Sequence, residues 1–127
     1  MGQGQSPVRI VIPSQIRGGK NNICITRTGR RFPNKKWAAW RDVTVEQVKE
    51  QLPIWHEPIS TRKAFWEFIY TPENMLRRDA PAVLDSVMHC FEKAGVVTDD
   101  CLIKNFKFIE MEPNKESPSM VVNISLP

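Results

Sequence analysis

Apolar positions recur along the chain with two periods, and the switches between them mark out its elements. Val8 to Ile12 (VRIVI) reads as a short strand stopped by Pro13. The stretch SQIRGGKNN has the paired glycines and asparagines of a loop, and ICITRTGRRF reads as a hairpin or extended ribbon turning at Thr28-Gly29. After Pro33, Asn34 is placed to cap a helix running to about Leu52. Trp37, Trp40, Thr44, Val48 and Leu52 recur there at helical spacing, and Pro53 ends the run. The two tryptophans are thereby expected as core anchors. TRKAFWEFIY, from Thr61 to Tyr70, favours a strand by its aromatic and branched residues, and its blurred alternation predicts burial on both faces.

The clearest period is that of residues 80 to 94. Ala80, Val83, Leu84, Val87, Met88, Phe91 and Ala94 follow i, i+3, i+4, i+7, predicting an amphipathic helix whose polar face carries Ala82, Asp85, His89 and Glu92. Asp79 is a candidate N-cap, Pro81 suits a first turn whose N–H has no helical partner, and Gly95 supplies a left-handed stop. Leu102 to Met111 and Met120 to Leu126 alternate like strands joined by the loop PNKESPS, with Met120, Val122, Ile124 and Leu126 on one face. The order predicts an α+β fold, a single small domain with two main helices packed on a mixed sheet, spanning residues 7–127 behind a flexible stretch at 1–6.

Length and composition narrow the class. With 127 residues, 41% hydrophobic and 25% charged, the chain can build its own core, and collagen, coiled coil and wholesale disorder are excluded. No apolar run approaches the ~18 to 20 residues of a membrane span, and MGQGQSPVR lacks a signal peptide's apolar core. Cys24, Cys90 and Cys101 are odd in number and lack CxxC spacing, so neither a disulfide framework nor structural zinc is expected and a cytoplasmic setting fits.

Charge changes the picture more. The net charge of +4 divides into +9 over residues 1–41, which hold no acid, and −5 over residues 42–127. A one-signed block facing a polyanion gains by counterion release. Arg30-Arg31 and Lys35-Lys36, interleaved with Phe32 and Trp37, have the make-up of a nucleic-acid surface. A solvated basic face is the plainer alternative, and charge separates neither DNA from RNA nor binding from cutting. Among the acids, Asp79 opens the amphipathic helix and Asp99-Asp100 follows its Gly95 stop. Fifteen helical residues span about 22 Å, so the two ends share a metal only if the chain doubles back or a second chain closes the gap. On spacing alone, Asp79 is an N-cap and Asp99-Asp100 a turn.

The segment RRDAPAVLDSVMHCFEKAGVVTDDCLIKNF, residues 77–106, resembles the RusA-like family of Holliday-junction resolvases. That family opens a helix with a basic run and R-x-D-x-D-N-x-x-K, ends it in K-A-G, and places a DD pair before a strand. Arg77-Arg78-Asp79, Lys93-Ala94-Gly95 and Asp99-Asp100 fall in that register without gaps. The resemblance extends to the IVIP strand, Asn21-Asn22, RTGRRF and KKWAAWRD. It implies a RusA-like α+β fold and metal-dependent cleavage of branched DNA by a homodimer, with Mg²⁺ or Mn²⁺ held by acids, no organic cofactor and no membrane association. Asp79 and Asp100 match catalytic aspartates. Lys20, Arg27, Arg30, Arg31, Lys35 and Lys36 are the expected DNA contacts, with Arg77 and Arg78 beside the active centre.

The chain departs from the family pattern where chemistry is concentrated. The second Asp is Pro81, the Asn is Ala82 and the Lys is Asp85. Two accounts follow. Asp85, one turn beyond Pro81, can replace the missing carboxylate, with His89 a turn further on; or the site is dead and only dimerisation and binding of branched DNA remain.

Overall fold

A computed structural model describes residues 8–18, 23–25, 27–29, 31–76 and 80–127, with the side chains of 23–25 and 31–33 not described. The elements are β1 (Val8–Ile12), β2 (Ile23–Ile25), β3 (Arg31–Pro33), α1 (Lys35–Gln51), β4 (Phe65–Thr71), α2 (Ala80–Ala94), a 3₁₀ turn over Asp100–Leu102, β5 (Asn105–Glu110) and β6 (Ser119–Ser125). The main sheet has the order β1-β6-β4-β5, with β4 and β5 parallel and the other pairs antiparallel. β2 and β3 form a separate antiparallel hairpin around Arg27-Thr28-Gly29, and Gly29 takes φ 83° there. Two helices on a four-stranded mixed sheet make this an α+β fold. Among the described residues, no helix is long and apolar enough to cross a membrane.

The helices cover one face of the sheet. Ile10 and Ile12 from β1, Trp66, Phe68 and Tyr70 from β4, and Met120, Val122 and Ile124 from β6 meet Val83, Val87 and Phe91 of α2 and Val48 of α1 in one buried cluster. The expectation that β4 is buried on both faces is corrected: its residues alternate, Phe65 is 37% exposed and Glu67 and Ile69 are half-buried. Glu67 carries the reason, since its carboxylate accepts from Asn123 Nδ2 at 3.0 Å on the face that no helix covers. The strand also starts later than Thr61. Leu102, expected to open β5, instead closes the 3₁₀ turn that starts at Asp100, and the strand begins at Asn105.

Local chemistry sets the helix ends. Asn34 Oδ1 accepts from the backbone N–H of Lys36 (2.9 Å) and Trp37 (3.2 Å), satisfying two first-turn donors of α1. At the other end of α1, the Gln51 carboxamide accepts from Val11 N (2.7 Å) and donates to Val11 O (2.8 Å). It thus occupies the outer hydrogen-bonding edge of β1, where another strand could otherwise pair. The helices are tied by Trp37 Nε1, which donates to Ser86 Oγ at 3.1 Å in the buried interior. Trp37 is therefore the core anchor expected; Trp40 is only half-buried against the core.

Candidate metal centre and nucleic-acid interface

α2 ends in a reversal that its sequence dictates. Gly95, at φ 82°, donates its N–H to Glu92 O (3.2 Å), and Val96 donates to Phe91 O (2.9 Å), the paired bonds of a Schellman motif. Buried Phe91 and Val96 supply its apolar contact. The chain is then held by Ile59, whose N–H donates to Val96 O (2.9 Å) and whose carbonyl accepts from Thr98 N (3.0 Å). Asp99 caps the 3₁₀ turn, its Oδ1 accepting from Cys101 N at 2.9 Å. Asp100 N donates to Glu92 Oε1 at 2.9 Å.

These bonds gather three carboxylates. Oxygens of Glu92, Asp99 and Asp100 all lie within 4.8 Å of one another. Glu92 and Asp100 are half-buried and Asp99 is exposed. The Cys101 backbone N–H holds the Asp99 carboxyl below its ordinary range, so it stays ionised to lower pH. The hydrogen bond to Asp99 raises the neighbouring Cys101 thiol. Three hard oxygen donors crowd near the negative end of the α2 dipole, where anions repel and a divalent cation would relieve the repulsion. The donor set suits a hard divalent cation better than a soft metal.

Of the residues expected at the centre, Asp100 lies in this trio. Asp79, with Arg77 and Arg78, falls outside the described residues. Asp85 is on α2 seven residues before Glu92, about 10 Å along the axis. Within one chain it does not join the trio. His89 lies between them, its ring 5.4 Å from the Trp37 indole at a 50° tilt. Ala80, the first residue of α2, stands about 18 Å from Glu92 along the helix. The fold-back after Gly95 therefore reaches only the last turn of α2. Compared with known protein families and curated proteins, the chain matches none.

Glu92 enters the site without having been singled out from the sequence beyond its place on the polar face. The available signal was its position three residues before Gly95: a Schellman reversal there returns the following chain toward that turn.

The basic residues occupy another region. Arg27 is exposed at the hairpin turn, Lys35 and Lys36 are exposed in the first turn of α1, and Arg31 lies on β3. Lys20 and Arg30 lie outside the described residues. Trp37 faces Ser86 and His89, while Arg41, Lys49 and Lys93 line one groove, so α1 and α2 run side by side in the same direction. The basic start of α1 consequently lies beside the first half of α2, and the acidic trio lies at its end. A cavity of about 580 Å³, lined by Gln15, Arg17, Glu73, Ala82 and Val83 among others, opens against the first turn of α2. Its Gln15 side chain is fully engaged: Oε1 accepts from Glu73 N (2.8 Å), and Nε2 donates to Ile16 O (3.0 Å) and to the Tyr70 hydroxyl.

Proposed function

We propose that the protein binds branched DNA and cleaves it as a metal-dependent endonuclease resembling the RusA-like Holliday-junction resolvases. The observation that carries this reading is the gathering of Glu92 and Asp99 around Asp100, the residue at which the resemblance places a catalytic aspartate. A Mg²⁺ or Mn²⁺ ion held there would supply charge neutralisation at a phosphodiester. Glu92, Asp99 and Asp100 would hold it, while the basic block of residues 1–41 would position the duplex by phosphate contacts. The length of α2 argues for a homodimer in this reading, because Asp85 of one protomer, two turns from Glu92, can meet an Asp100 only from its partner.

A second reading has its own observation. Pro81, exposed in the first turn of α2, offers no ligand where the family carries an aspartate, and Asp85 lies two turns from Glu92. In that reading the fold holds branched DNA without cutting it.

Titrating the protein onto a labelled four-way junction, first without metal and then with Mg²⁺ or Mn²⁺, separates the two. Symmetric nicks that require metal and vanish in Asp100→Asn support the endonuclease. Junction-selective, strongly salt-dependent binding without nicks supports the binding protein. Equal, weak binding to junction and linear duplex overturns both.

A further inference from the structure

The surface of α1 carries a groove of about 540 Å³ whose lining includes Arg17, Lys36, Trp40, Val43, Thr44 and Gln47 and, among the described residues, no acid. Arg17 comes from the loop after β1 and Lys36 from the first turn of α1, far apart in sequence and converging on one groove. Both are exposed, and neither is paired with an acid among the described residues. The first turn of α1 holds Lys35 and Lys36 and no acid, although the positive end of a helix dipole favours anions over cations. An anion seated there would offset both charges.

The rest of the groove is not shaped for a bare anion. Trp40 presents a half-buried indole, and Val43 is 60% exposed beside it. Two cations beside a half-buried indole and an exposed valine together match a phosphate joined to a planar ring.

We propose that this groove takes one unpaired nucleotide of a DNA strand, with its phosphate held by Arg17 and Lys36 and its base against Trp40. This rests on the DNA-binding reading above and adds to it a strand-level interaction: a nucleotide freed from pairing at a branch point, held apart from the acidic trio. Base-to-aromatic stacking tolerates any base, so the groove recognises unpaired structure rather than sequence.

The test uses the full chain with a short oligothymidylate carrying an iodouracil. Photo-crosslinking is expected to map to the peptide that contains Trp40. Val43→Asp, which puts a carboxylate at an exposed position, and Arg17→Ala/Lys36→Ala should each weaken binding by more than about tenfold while the thermal melt is unchanged. The double variant should also flatten the log–log salt dependence by about 0.7, the contribution of the one single-strand phosphate that is no longer neutralised. Crosslinks confined to other peptides, or variants that bind as tightly as the parent, overturn the proposal. If the variants lose oligothymidylate but the parent neither prefers nor nicks a junction, the groove stands and the junction-endonuclease reading falls. If the junction is bound and cut while both variants match the parent, the groove falls alone. A parent that binds no DNA removes both.

Discussion

The Asp100 amide donates to Glu92 Oε1 across 2.9 Å, joining the turn after α2 to the last turn of the helix it has just left. This bond fixes the acidic trio, and it also separates structure from chemistry at Glu92. Gln keeps a carbonyl acceptor for Asp100 while removing the charge, so Glu92→Gln is expected to change unfolding stability by no more than about 1 kcal/mol. Mn²⁺ affinity, followed by paramagnetic resonance, should fall by more than about tenfold, as it should in Asp100→Asn. Equal Mn²⁺ affinity in parent and both variants would rule the trio out as a metal centre.

Trp37 and Ser86 form the buried hydrogen bond between the helices, with Ser86 0% exposed. Ser86→Ala strands the indole N–H in the interior, a loss of about 1–3 kcal/mol in urea unfolding. Trp37→Phe removes the donor but also leaves space. The double variant should therefore cost less than the sum of the singles, and strict additivity would show that the bond contributes nothing.

Gly95 allows a test of the reversal without touching an acid. At φ 82°, with no atom within 4 Å of where a Cβ would sit, alanine there has room but the wrong backbone preference. Gly95→Ala should cost about 1–2 kcal/mol. Gly95→Asn, better suited to the left-handed region, should cost less, and an equal loss in the two would point away from backbone conformation as the cause.

Burial pushes the Cys90 thiol up from 9.0 to about 12, with Arg41 opposing and Asp42 adding to the shift. The folded protein thus keeps this proton to higher pH than the unfolded chain. Its contribution to stability is complete below pH 9.0 and is lost as pH rises toward about 12. Each unit of that gap corresponds to about 1.4 kcal/mol. Denaturation midpoints should fall over this window more steeply in the parent than in Cys90→Ala. In a Cys24→Ser background at neutral pH, a thiol reagent should label exposed Cys101 and spare Cys90.

What was legible in the sequence was local. The period of Ala80 to Ala94, the Asn34 cap, the Gly95 stop and the alternation of Met120, Val122 and Ile124 each depend on residues a few positions apart, whose bonds and faces follow from helix or strand geometry. Charge segregation was legible too, because it is a count. The trio was half legible: Asp100 could be placed after a reversal, but not the turn of α2 that the reversal would meet.

Tertiary structure decided what lies across long stretches of chain. Nothing local in FWEFIYT states that helices cover one side of it and leave Glu67 to Asn123, or that β5 pairs with it in parallel. Nor does the string bring Arg17 to Lys36, or stop Asp100 at Glu92, about two turns short of Asp85. Helix caps and periods are set by neighbours within about one turn, whereas faces, grooves and carboxylate clusters depend on which distant surfaces bury each other, and only the packed core fixes that.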